Sequence, residues 1–155
     1  MNLYKLHSEP AVLQGNDKQM QIPVIAYKHL RRWGARLTLS KGKRKKLEQI
    51  IAKSAEYSFK YARDIIRDRF ELGEDVVSND GEWGYFYAKQ IIEGRWEEAE
   101  PAILTGDSKW IYFYAKHVIK GRWPEGETVL KQDLADENKS DKWANMYRKM
   151  FLEEQ

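Results

Sequence analysis

The chain has 155 residues, 42% hydrophobic and 33% charged, which is enough apolar material for one folded domain and too much for wholesale disorder. It contains no cysteine, so disulfides and thiolate metal sites are excluded. No apolar run approaches the roughly 18 residues of a membrane span, and the first residues lack a signal peptide's apolar stretch. The expectation is therefore a soluble, cytoplasmic protein.

The net charge of +3 is unevenly spread. Residues 1–53 carry 12 basic and 3 acidic side chains, whereas residues 54–155 carry 15 and 21. Such asymmetry between halves points to an anionic partner or to a basic helix lying near its own acidic half.

In chain order, residues 1–22 show no clear periodicity and read as an edge strand or an arm. From Pro23, apolar residues at Val24, Tyr27, Leu30, Trp33 and Leu37 follow a three-to-four spacing, which predicts a helix opened by Pro23 and interrupted at Gly34. Ser40 is suited to cap a second helix through about Lys53, with Leu47, Ile50 and Ile51 on its buried side. Its basic residues would lie opposite. That helix either binds nucleic acid or docks as a cap, and docking is favoured because Leu47, Ile50 and Ile51 match the pattern that follows.

The pattern is an internal repeat. Residues 83–96 (WGYFYAKQIIEGRW) recur as 110–123 (WIYFYAKHVIKGRW), a shift of 27. A diverged copy runs from Tyr57 to Phe70 at a shift of 26, and a degraded one begins at Trp143 and keeps Tyr147, Phe151 and Leu152. The second half of each unit also matches, through Glu74, Glu100 and Glu127, and shifting back once more reaches Glu48 and Ile50-Ile51. Partial units at the ends are what a stacked array needs as caps.

Each unit reads as two short helices. Trp83, Tyr87, Ala88, Ile91 and Ile92 form an amphipathic stripe, and Gly94 and Gly121 are expected as left-handed cap residues near its end. The second helix, near 97–104, is barely two turns long and must be held by its neighbours. Polar breaks at Ser78-Asn-Asp-Gly81 and Thr105-Gly-Asp-Ser108 lead into the next unit.

Of the aromatic residues, 14 lie between Tyr57 and Trp123. Their fixed spacing assigns Trp83, Tyr87, Trp96, Trp110, Tyr114 and Trp123 to core packing rather than to a ligand cage. Tyr85, Phe86, Tyr112 and Phe113 fall on more than one side of a helix and belong between units or on an exposed contact surface. The repeated Arg69, Arg95 and Arg122 and Glu74, Glu100 and Glu127 suggest an Arg–Glu ladder with bidentate pairs.

No catalytic constellation emerges. His7, His29 and His117 lack metal-ligand spacing, and no G-x-S-x-G, H-E-x-x-H or G-x-G-x-x-G occurs. Neither a metal nor a cofactor is expected. His117 is aligned with Gln90 and Arg63 and reads as a variable surface position.

At the level of Tyr87-Ala88-Lys89, Gly94-Arg95-Trp96, Tyr114-Ala115-Lys116 and Gly121-Arg122-Trp123, the sequence resembles short helical repeats in uncharacterised proteins of tailed bacteriophages. The first copy departs from it, with Asp68 for the glycine and Phe70 for the tryptophan. The resemblance implies a viral origin, in the cytoplasm of an infected bacterium, and carries over no activity or catalytic residue. Tetratricopeptide-like repeats differ in their period of about 34 residues and in signature.

The expected fold is all-α, with helix-pair repeats of about 26–27 residues stacked as a compact solenoid behind an N-terminal cap or arm. Residues 1–46 form the arm and basic segment. Residues 47–155 form the repeat domain, with units near 55–80, 81–107 and 108–133 and a partial unit at 141–155. The expected function is a non-enzymatic protein-interaction module that binds a host or phage protein, inhibiting or redirecting a host (defence) factor. Its contacts would come from the copy-variable Lys60, Arg63, Gln90, Glu93, His117 and Lys120. The alternative is nucleic-acid binding by segment 28–46, through Arg31, Arg32, Arg36, Lys43, Arg44, Lys45 and Lys46.

Overall fold

The computed structural model describes residues 22–33, 40–135 and 141–153. Among them every regular element is helical and no strand occurs, so the all-α expectation holds. The helices are α1 (Pro23–Trp33), α2 (Lys41–Ile51), α3 (Ala55–Tyr61), α4 (Glu71–Ser78), α5 (Gly81–Tyr87), α6 (Glu100–Thr105), α7 (Ser108–Tyr114), α8 (Pro124–Ala135) and α9 (Lys142–Phe151). They pack around a shared core that includes Leu30, Ile51, Tyr61, Tyr87, Ile103, Tyr114, Trp123 and Tyr147. α2 runs through the expected segment boundary at 46/47.

Short polar caps start α2, α5, α7 and α9, as the breaks in hydropathy suggest. Ser40 Oγ accepts from the Lys43 N–H at 3.4 Å, and Asp80 accepts from the N–H groups of Glu82 and Trp83 at 3.0 Å. Asp107 accepts from Lys109 at 2.8 Å, and Asp141 does the same for Trp143 and Ala144 at 2.8 Å. Each side-chain oxygen satisfies donors that the first helical turn leaves open.

α3, α5 and α7 each widen at their C-terminal end into one turn of π-helix, at Ala62–Ile66, Ala88–Ile92 and Ala115–Ile119. The wider turn lets both members of the pairs Ile91-Ile92 and Val118-Ile119 pack against the core. It ends on a left-handed residue, Arg67 (φ 59°), Glu93 (φ 57°) or Lys120 (φ 59°). This corrects the expectation for Gly94 and Gly121: the residue before each glycine takes the left-handed conformation, and no glycine has positive φ among the described residues. Glu93 holds this conformation by donating its N–H to the Ala88 carbonyl, while Gly94 donates to the same oxygen at 3.2 Å.

α5 packs on α6, α3 on α4 and α7 on α8, and α3, α5, α7 and α9 also touch one another in succession. Rings fill the second set of contacts. Phe59 lies 5.7 Å from Trp83, Phe86 5.6 Å from Trp110, and Phe113 5.0 Å from Trp143, centroid to centroid. Tyr85 and Tyr112 are buried and Phe86 and Phe113 half-buried, so these four lie between neighbouring helices. Trp83 is half-buried too, less enclosed than a core assignment implies.

The N-terminal helices α1 and α2 pack on each other, and α1 also touches α3. Tyr27 lies 5.6 Å from Tyr57, the separation found between Tyr85 and Trp110. Leu47, Ile50 and Ile51 are buried as expected, and the helices expected from Pro23 and after Ser40 both form.

Candidate functional site

The polar residues that recur in every copy are engaged in holding the fold. Tyr87 accepts from the Phe70 backbone N–H at 2.7 Å and donates to Glu74 at 2.8 Å. Tyr114 repeats this with Trp96 and Glu100 at 2.8 and 3.1 Å, and Tyr147 with Trp123 and Glu127 at 2.8 and 3.0 Å. Each glutamate in turn takes a bidentate pair of bonds from Arg69, Arg95 or Arg122. Tyr61 donates to Glu48 at 2.7 Å, and Arg44 acts on the same phenol. The Arg–Glu ladder expected from the sequence is thus present within each helix pair, and tyrosine extends it to the next pair.

The electrostatics follow from this wiring. Arg69 holds the Glu74 carboxyl below its ordinary range against the opposing effect of burial, and Arg122 does the same for Glu127. Burial pushes the phenols of Tyr61, Tyr87 and Tyr114 well up, and that of Tyr147 up to about 12.

The copy-variable residues are distributed as follows. Arg63, Gln90 and Glu93 line one cleft of about 210 Å³ together with Arg67, Asp68 and Ile91. Lys60 is paired with Glu56 and lies over the Tyr57 ring at 5.2 Å. Lys120 is exposed at its left-handed position, and His117 is half-buried one helix pair further along; neither lines the cleft. The spatial register also changes one alignment. The third residue of each π-turn is Asp64, Gln90 or His117, so Arg63 is the counterpart of Lys89 and Lys116.

Sequence reasoning missed what this register brings together. Tyr27 donates to Asp64 at 2.6 Å, and Tyr85 lies 2.9 Å from Nδ1 of His117. Four residues after Tyr85 and Tyr112, Lys89 and Lys116 reach back to the phenols at 3.3 and 3.1 Å. The recurring Tyr-x-x-x-Lys spacing was the available signal, since residues four apart are neighbours on a helix.

Within the basic segment, Arg31 and Arg32 are exposed in the last turn of α1, and Lys43, Lys45 and Lys46 are exposed on α2. Arg44 is half-buried. Arg36 lies outside the described residues. Among the described residues no group of three or more His, Asp or Glu is arranged to hold a metal ion, and no helix is long and apolar enough to cross a membrane.

In comparison with known proteins, no family model, no curated protein and no solved structure matches the chain.

Proposed function

We propose that the recurring helix pairs stack as a compact solenoid fragment and act as a non-enzymatic module for protein recognition. The observation that carries this reading is a division of labour. The Arg–Glu–Tyr groups repeated in every copy bind one another, whereas Gln90 and Glu93, whose counterparts are Asp64 and His117 and Arg67 and Lys120, line a shared cleft with Arg63. Repeat arrays present variable side chains on a constant scaffold in this way. The partner is a host or phage protein, in keeping with the resemblance to tailed-phage repeats, and binding inhibits or redirects a host factor in the infected cytoplasm.

A second reading, nucleic-acid binding, is favoured by the exposed Arg31, Arg32, Lys43, Lys45 and Lys46 and by the absence of any acidic residue in the first turn of α2. One experiment separates the two. The protein and two variants, Arg63→Ala/Gln90→Ala/Glu93→Ala and Lys43→Gln/Lys45→Gln/Lys46→Gln, are used for affinity capture from bacterial lysate, with and without nuclease and over a salt series. A stoichiometric protein that survives nuclease and is lost only from the cleft variant supports protein recognition. Nucleic acid lost only from the lysine variant overturns it in favour of the second reading.

A further inference from the structure

Two places in the fold hold the same arrangement of side chains with different charge. In the first, between α1 and the π-turn Ala62–Ile66, the Tyr27 hydroxyl donates to Asp64 at 2.6 Å. Asp64 also accepts from Arg63 Nε and Nη2 at 2.6 and 3.1 Å, and Arg31 acts on it as well. Two cations and a phenol therefore converge on one carboxylate, which they hold down at about 2, the Arg63 hydrogen bonds contributing most.

In the second, between α5 and the π-turn Ala115–Ile119, Tyr85 stands where Tyr27 does and His117 where Asp64 does. Lys89 follows Tyr85 by four residues, as Arg31 follows Tyr27, and Lys116 precedes His117 as Arg63 precedes Asp64. The carboxylate is missing from this set. Lys89 and Lys116 bond only to phenols, at 3.3 and 3.1 Å, and neither has an ion-pair partner among the described residues. Burial and then the two lysines lower the His117 pKa, so the imidazole is neutral at pH 7 and adds no charge of its own. Phe113 closes the floor, stacked on His117 at 5.7 Å.

We propose that this second place is an anion-binding site, and that a side-chain carboxylate from an acidic segment of the partner protein enters between Lys89 and Lys116 against Tyr85 and His117. The inference rests on the protein-recognition reading and specifies the chemistry of its partner. The internal precedent is Asp64, a carboxylate between two cations. A nucleic acid fits less well, because Tyr85 and Tyr112 are 3% and 1% exposed and offer no open face for base stacking.

The test is a nuclear magnetic resonance titration of the full chain with a hexa-aspartate peptide and, separately, a twelve-residue oligothymidylate. Saturable shifts of the His117 ring and of Lys89 and Lys116 with the peptide are expected. Lys89→Gln/Lys116→Gln should weaken that binding about tenfold or more. His117→Asp supplies the missing carboxylate from within, so it should raise the melting temperature and abolish peptide binding. An unshifted His117 ring, preferential binding of the oligothymidylate there, or a lower melting temperature for His117→Asp overturns the proposal. A protein captured equally by Lys89→Gln/Lys116→Gln but lost from the Arg63, Gln90 and Glu93 variant overturns this site and leaves the recognition reading intact.

Discussion

The hydroxyl of Tyr114 accepts the buried backbone N–H of Trp96 at 2.8 Å and donates to Glu100 at 3.1 Å, so one side chain ties the start of a second helix to the next helix pair. Replacing it with phenylalanine keeps the ring and leaves a buried donor without an acceptor. Tyr114→Phe is expected to lower stability by about 1–3 kcal/mol in denaturant titration. Tyr147→Phe should behave in the same way through Trp123, whereas Arg122→Met, which removes a guanidinium from an exposed position, should have a smaller effect.

Acid should unfold the protein through the same carboxylates. Arg69 and Arg122 lower the pKa of Glu74 and Glu127, and Arg63 lowers Asp64 to about 2. A carboxyl whose folded pKa is depressed contributes stability above its unfolded value of about 4 and loses it as pH falls through the folded value. Melting temperature should therefore decline from about pH 5 toward pH 2, and Glu127→Gln should flatten part of that decline. At the other end, Tyr147 is raised to about 12, so its contribution is complete below about pH 10 and is lost as pH climbs further.

Glycines at different positions of the repeat should respond in opposite ways. A Cβ at Gly94 meets nothing within 4 Å and its φ is not positive, so Gly94→Ala should be neutral or stabilising by up to about 1 kcal/mol. A Cβ at Gly126 would stand 2.6 Å from Ile111 Cγ2 and 2.9 Å from Trp123 Cε3. Gly126→Ala should push α8 off α7 and destabilise by about 1–3 kcal/mol. Thermal melts of the two variants check both.

The basic helix α2 divides by the same measurement. Lys45 and Lys46 are exposed, and changing both to glutamine should shift stability by less than about 0.5 kcal/mol. Arg44 faces the Tyr61 phenol, and Arg44→Gln should cost about 1 kcal/mol. Loss of a ligand from the lysine variant would then report on the surface alone.

Much of the architecture was legible in the sequence because the repeat preserves side-chain type at fixed spacing. Trp96, Trp123, Tyr87 and Tyr114 are buried as their periodicity implies, and Ser40 caps its helix. The hydroxyl at 87, 114 and 147 is visible as a tyrosine kept where phenylalanine would fill the same space, yet one of its partners is a backbone N–H, which sequence pattern does not display. Glycine's preference points to a left-handed residue one position late because it is a local argument, whereas the π-turn itself ends on Glu93, whose N–H bonds back to the Ala88 carbonyl. At the candidate anion site, the lysines were in plain view, but the missing carboxylate emerges only when Asp64 and His117 are superposed in space.

The tyrosine bonds also have a direction in time. Each tyrosine lies downstream of the backbone N–H it satisfies, by 17, 18 and 24 residues for Tyr87, Tyr114 and Tyr147. Contacts this local close rapidly and need no distant part of the chain. As the polypeptide leaves the ribosome, each helix pair thus waits only for the next first helix before its buried N–H is satisfied. Until then the growing end carries one open acceptor-seeking group, and α9, through Tyr147, satisfies the one at Trp123.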